Sequence, residues 1–294
     1  MSAVTPAVEA PRSLWSDAGY ALRRNRAAMT AAVVLGVLAL LVVFGPALSP
    51  YSFDKPDWDH IAMPPTLADG HLFGTDALGR DLLSRTLQGG RMSLLVGLVS
   101  TIVSLVIGIA WGATAGFIGG RTDRIMMRIV DILYALPFMF LVILLMVLFG
   151  RQIVLIFVAI GAINWLDMAR IVRGQTLGLK QREFIEAARV SGVRTGYIIL
   201  RHIVPNLLGV VVIYVTLTIP QVILVESFLS FLGLGVQEPM TSWGALVSEG
   251  AQEMENAPWM LVFPSLFLAL TLFCFNFLGD GLRDALDPRD RSRA

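Results

Sequence analysis

The sequence predicts an all-α, polytopic membrane protein with six transmembrane helices, and three observations carry that prediction. Charged side chains make up 15% of the 294 residues and apolar ones 55%, whereas a typical soluble domain is about 25% charged. The deficit is concentrated in blocks with no Asp, Glu, Lys or Arg, and an uncharged apolar block of about 20 residues is long enough to span a bilayer. The cations that remain are sorted between alternate connections. Together these exclude a soluble enzyme and a disordered scaffold. A net charge of +1 gives no global attraction to polyanions, so no nucleic-acid partner is expected. Cys274 is the sole cysteine, which excludes a disulfide framework.

The elements follow from reading charge to charge, because each charge left in hydrocarbon costs roughly 2.5–3.5 kcal/mol on insertion scales. Residues 1–28 form a basic N-terminal segment with Arg12, Arg23, Arg24 and Arg26. The first span is Met29 to Leu48, read as uncleaved because it is longer than a signal-peptide core and ends in Gly45, Pro46 and Leu48 with no small-x-small site. An outer loop, 49–91, follows. There Asp81 and Arg85 stand four apart, and Leu78, Leu82, Leu83 and Leu87 form a stripe, so a short interfacial helix is expected.

The second span, Ser93 to Ile118, opens a five-helix core, 92–282. It carries Gly108, Gly112 and Gly116 at four-residue spacing. This is either a face for close helix approach or the ordinary abundance of glycine in membrane helices. The third span is Ile132 to Gly150. The fourth, Gln152 to Leu166, is the shortest block, about 22 Å of helix. A connection, 167–205, leads to the fifth span, Leu207 to Val225. The outer segment 226–258 has five acids and no Lys or Arg, and its Phe228–Leu234 part is apolar, suited to dipping into the membrane or packing on a partner. The sixth span is Trp259 to Leu278, and 283–294 is a tail in which Arg283, Arg289, Arg291 and Arg293 serve as anchors. Pro137, Pro220 and Pro264 predict kinks.

With the N-terminus inside, the cytoplasmic side collects 18 of the 23 cations and the outer side five: Lys55, Arg80, Arg85, Arg91 and Arg151. The acids divide equally, leaving the inner side at +7 and the outer at −6. Both termini are therefore expected in the cytoplasm.

The span cores contain no ionisable residue on this map, since Asp131, Asp167, Glu226 and Asp280 fall at span ends. A proton-driven carrier needs a titratable group at depth, so it is disfavoured. Nor does this chain bind nucleotide through a P-loop, because Lys55 follows Asp54 and Lys180 follows Leu179, and neither sits in a Gly-Lys-Ser/Thr sequence. His60, His71 and His202 are scattered and show no His-Glu-x-x-His spacing. No catalytic residue, metal site or bound cofactor is expected, and Cys274 is read as a packing residue.

The informative stretch is the connection 167–205. Glu183–Val190 lacks Gly and Pro, has Glu183 and Glu186 early and Arg189 late, and is stopped by Gly192, which predicts a helix. Ala187 and Ala188 leave its middle without bulk, so it can lie in a groove on another protein. The physics supports equally a juxtamembrane helix on anionic membrane lipid, with Arg182, Arg189, Arg194 and Arg201 as its cations.

The run Glu186-Ala187-Ala188-Arg189-Val190-Ser191-Gly192, with Pro205 at the far end, resembles the EAA loop of ABC importer permeases. His202 and Val204 stand where the family pattern has Ile and Leu. The segments Phe73–Asp81 and Phe275–Pro288 are similar to the dipeptide, oligopeptide and nickel permease group, and within it Trp165–Thr176 and Glu226–Gly235 look most like the oligopeptide C-type subunits. The resemblance implies a type I ABC importer permease fold and half of a peptide pathway, with Glu186, Ala187, Ala188, Gly192 and Pro205 as the ATPase-coupling residues. It also implies partners: a homologous second permease, two cytoplasmic ATPase subunits holding ATP and Mg, and an extracytoplasmic solute-binding protein. Relatives of this kind also carry dipeptides, glutathione or nickel chelates. A stand-alone channel or ion-coupled carrier is the rival class; it predicts transport by this chain alone without ATP.

Overall fold

A computed structural model of the chain describes residues 14–150 and 153–286. Arg12, Arg151, Gln152, Asp287, Pro288, Arg289, Arg291 and Arg293 lie outside the described residues. The described part is helical: α1 (Leu14–Arg24), α2 (Arg26–Leu48), α3 (Leu82–Ile118), α4 (Gly120–Ala135), α5 (Phe138–Phe149), α6 (Ile153–Leu179), α7 (Glu183–Val190), α8 (Thr195–Ile198), α9 (Val204–Phe231), α10 (Trp243–Gln252) and α11 (Trp259–Leu286), with a π-helical turn at Ile199–Ile203 between α8 and α9. Four stretches are each long and apolar enough to cross a membrane: Arg26–Leu48, Leu82–Ile118, Thr195–Phe231 and Trp259–Leu286.

The other two crossings follow from packing. α3 and α6 run parallel: a Cβ built on Gly108 would meet the Met168 Cβ at 2.5 Å, one on Gly112 would strike the Ala169 carbonyl, and one on Gly116 would meet the Thr176 Cβ at 2.9 Å. Two parallel neighbours require the chain between them to return across the same thickness. α4 and α5 make that return, and α6 is itself a crossing. The glycine stripe is thus a face for close approach, and its partner is α6. Hydroxyls add to this seam, Ser100 Oγ donating to the Phe157 carbonyl at 3.3 Å and Ser104 Oγ to that of Gly161 at 3.0 Å.

Several boundaries differ from the charge-to-charge map. The third apolar block is interrupted where Pro137 stands, because Leu136 and Pro137 take extended backbone between α4 and α5; Pro220 and Pro264 sit inside α9 and α11. α6 does not stop at Leu166 but continues to Leu179. The register places Asp167 beside the level of Gly108, close to the middle of the uncharged block 92–120 of α3. α9 likewise continues past Val225, so Glu226 is fully buried inside a helix and bonded to Ser93 Oγ (3.2 Å) and Ser230 Oγ (2.6 Å). By this register Asp167 lies within a span, whereas Glu226, bonded to Ser93 at the start of the second apolar block, stays near a span end. Charge does not end a helix where the side chain finds hydroxyl, ionic or aqueous company.

The loop 49–81 is clamped rather than loose. Arg85 is buried and donates to Asp76 at 2.5 Å and to Glu249 of α10 at 2.6 and 3.1 Å. Arg80 joins Asp76 (2.7 Å) to Glu238 (2.8 Å). Asp81 is not paired with Arg85. It caps α3 by accepting from the Ser84 amide at 2.8 Å, and its other oxygen meets His71 Nδ1 at 2.9 Å. Instead of a separate interfacial helix, Leu82, Leu83 and Leu87 belong to the first turns of α3. Trp243 of α10 is completely buried and donates from Nε1 to the Thr86 carbonyl at 2.9 Å. α10 therefore packs on its own chain, while Phe228, Phe231 and Leu232 remain about half exposed.

Candidate functional site: the connection between α6 and α9

This connection is a folded unit tied to the helices it joins. α6 ends at Leu179, and a three-residue turn leads to α7, held by the Lys180 amide on the Thr176 carbonyl (2.9 Å) and the Arg182 amide on that of Leu179 (3.0 Å). Glu183 and Glu186 lie in the first turn of α7 and Arg189 in the last, as the helix dipole favours.

The inner face of α7 is pinned at two positions four residues apart. Ile185 is fully buried in a cluster with Phe117, Val172, Ile198, Ile203 and Leu207. The Arg189 guanidinium lies 4.5 Å from the centre of the Phe117 ring, a cation–π contact. Ala188 packs half-buried against the same cluster. On the opposite face Glu186 and Ala187 are exposed, and Val190 is 90% exposed. Phe184, Tyr197 and Leu200 add exposed apolar surface nearby.

Gly192 ends α7 as the sequence indicates, and the geometry gives the reason. Its φ is +74°, and its amide donates to the Arg189 carbonyl (3.0 Å) while the Val193 amide donates to that of Ala188 (3.1 Å). That is the paired 6→1 and 5→2 bonding of a Schellman cap, which requires the left-handed position glycine adopts without strain. A Cβ there would meet nothing within 4 Å, so the requirement is conformational. At the far end Pro205 occupies the opening of α9 after the π turn. Proline donates no amide hydrogen, and the wide turn, with the Val204 amide reaching the Ile199 carbonyl, absorbs the irregularity.

A second tie holds α6 to α4. Arg173 donates through Nε to Asp123 Oδ1 (2.5 Å) and through Nη2 to Oδ2 (2.7 Å). Asp123 sits in the first turn of α4, beyond the second apolar block, and Arg173's hydrogen bonds hold its carboxyl below the ordinary carboxylate range.

Residues 85–292 match the family described as the inner membrane component of binding-protein-dependent transport systems. The chain belongs to that family. Residues 13–65 match the N-terminal transmembrane domain of oligopeptide transport permease C. Among similar proteins, the oligopeptide transport system permease protein OppC of Haemophilus influenzae is 57% identical over 280 residues, 95% of this chain and 90% of that protein. OppC of Escherichia coli K12 is 58% identical, covering 95% and 93%. The dipeptide transport system permease protein DppC of Bacillus subtilis is 45% identical over 280 residues, 95% and 87%.

Within this inner-membrane component, Glu186, Ala187 and Ala188 lie together on α7 and Gly192 at its cap, whereas Pro205 lies beyond α8 and the π turn. Sequence reading missed the anchors: Ile185, Phe117 as the ring under Arg189, and the Asp123–Arg173 pair. Only Ile185 carried a local signal, as the apolar residue on the face opposite Glu186.

Proposed function

We propose that this chain is the permease subunit of an ATP-driven importer of peptides, most of all oligopeptides, and that α7 is the surface through which an ATPase acts on it. The observation that carries the proposal is the division of α7 into a pinned face, Ile185 and Arg189, and an exposed face, Glu186, Ala187 and Val190. A helix fixed to its own bundle on one side, with small side chains and a carboxylate on the other, transmits a push. Arg189, the cation within α7, lies on Phe117, while Arg182, Arg194 and Arg201 are exposed around it. The oligopeptide substrate is supported by the names of relatives near 58% identity.

In this reading a homologous second permease completes the pathway, two cytoplasmic ATPases hold the ATP and Mg, and an extracytoplasmic binding protein delivers the peptide. Both termini and α7 face the cytoplasm in a bacterial inner membrane, as the cation distribution favours. ATP-driven closure of the ATPases moves α7, and α7 carries the bundle with it as a rigid body against the second permease. Hydrolysis resets it. The test is uptake in cells or proteoliposomes holding the full assembly. Glu186→Lys and Gly192→Asp are each expected to abolish ATP-dependent peptide uptake while the subunit still reaches the membrane. Wild-type uptake in both variants would refute the coupling role, and uptake by this chain alone without ATP would refute the importer reading.

A further inference from the structure

We infer that Asp167 lines the transport path and attracts the ammonium groups of peptides in transit; this rests on the importer reading above. α6 turns Trp165, Met168, Ala169, Val172 and Thr176 inward. Its other side carries Asn164, Asp167, Gly174, Gln175 and Gly178, a lane of polar and small residues running toward α7 that is interrupted by Ile171. Two open cavities of about 390 Å³ each share Asn164, Asp167 and Gln221 in their walls, one adding Tyr214 and Thr218 of α9, the other Tyr134 of α4.

The packing level of Asp167, near the middle of the α3 apolar block, decides what this lane can face. It cannot face lipid, because a carboxylate and several amides at that depth are costly in hydrocarbon. It does not face this chain's own core, because Asp167 is exposed. What remains is water, or the other half of the pathway. One cation, Arg170, also lines the first cavity, but it is already engaged: its Nη2 bonds Asp131 Oδ1 at 2.9 Å, and its guanidinium lies 4.2 Å from the Tyr134 ring centre. Among the described residues the Asp167 carboxylate makes no hydrogen bond or ion pair. An uncompensated carboxylate beside amide and hydroxyl groups suits a passing peptide: the carboxylate meets an α-ammonium or lysyl group, and Asn164, Gln221 and Thr218 exchange hydrogen bonds with the peptide backbone. The effect is modest, because a charge pair in a wet cavity is weak, and modest attraction is what passage requires.

The experiment uses the complete assembly in proteoliposomes and three tripeptides, Ala-Ala-Ala, Ala-Lys-Ala and Ala-Glu-Ala. Dividing each variant's rate by the wild-type rate for the same peptide cancels selection by the unchanged binding protein. Asp167→Asn is expected to slow maximal uptake of the lysyl peptide about two- to five-fold relative to the glutamyl peptide, with half-saturating concentrations unchanged. Asp167→Glu is expected to restore the wild-type ratio. An equal change for all three peptides, or none, overturns the inference while leaving the importer reading intact. Loss of subunit assembly in Asp167→Asn also overturns it, by making Asp167 an ion-pair partner of the second permease. If the wild-type assembly imports none of the peptides, the importer reading fails and takes this inference with it.

Discussion

Replacing Gly112 by alanine adds one methyl at the seam between α3 and α6. That carbon would fall against the Ala169 carbonyl, 2.9 Å from the Val172 Cβ and 3.0 Å from the Arg173 amide nitrogen. Three of its neighbours are backbone or Cβ atoms, which cannot rotate away, so α6 as a whole must move by about 1 Å to reach ordinary carbon contact distances. Overpacking of this kind costs about 1–3 kcal/mol, against a helix-propensity gain of alanine over glycine of about 1 kcal/mol. Gly36 of α2 is the control: a Cβ there meets nothing within 4 Å, so only the gain operates. At about 2–4 °C per kcal/mol for a chain of this size, Gly112→Ala is expected to lower the apparent melting temperature of the detergent-solubilised subunit by up to roughly 8 °C, and Gly36→Ala to leave it level or raise it slightly. Because α6 leads into α7, Gly112→Ala is also expected to weaken coupled ATPase activity in the full assembly. If Gly112→Ala melts like Gly36→Ala, the close parallel approach of α3 and α6 is wrong, and the six-crossing argument built on it falls with it.

Arg85→Ala leaves Asp76, which is 1% exposed, with the Arg80 guanidinium and the Leu78 and Arg80 amides, and removes the partner of Glu249, which is 35% exposed. Losing hydrogen bonds to charged groups costs about 1.5–3 kcal/mol, so lower folded yield and a depressed melting temperature are expected; wild-type melting would show that the clamp holds nothing. The Asp123–Arg173 pair gives a pH test. Because Asp123's carboxyl is lowered in the folded chain, its contribution is present above the unfolded carboxylate value and is lost as pH falls through the lowered one. The melting gap between wild type and Asp123→Asn, about 1 kcal/mol for a partly exposed pair, is expected to be constant near neutrality and to close below about pH 4; a gap independent of pH would refute the assignment.

What was readable in the sequence were features whose cause is local. The helix Glu183–Val190 and its stop at Gly192 follow from neighbouring residues, and so does the glycine face of α3. The partner of that face was not readable, because the positions that receive Gly108 and Gly112 are distant in sequence and carry no mark of their own. The boundary errors share one cause. Charge served as a ruler for span ends, and a charge ends a span only if it stays uncompensated in hydrocarbon. Glu226 has Ser93 and Ser230, Arg170 has Asp131 and Tyr134, and Asp167 has an open cavity. Each remains inside a helix that the ruler had cut.

The absence of ionisable groups from the span cores therefore gives no argument against an ion-coupled carrier, and the distribution of those groups gives a better one. Glu226 is bonded to Ser93, which opens the second apolar block, so it lies at the edge of the apolar layer. Arg173 and Asp123 bond to each other next to Gly116, near the opposite edge. Both sets are held by partners within this chain and fasten helix to helix: α9 to α3, and α6 to α4. Asp167 is near mid-depth, and one turn on Arg170 is tied to Asp131 at 2.9 Å; no carboxylate or histidine besides Asp167 is among the residues lining its two cavities. A proton relay needs successive titratable groups along a route, and a single carboxylate is no route. What α6 does provide is a mechanical link. It presents Asp167 to the lane at mid-depth, lies against α3 through the glycine face, and three residues past its end becomes α7. Force arriving at Glu186 and Ala187 has a direct covalent course to the helix that borders the cavity.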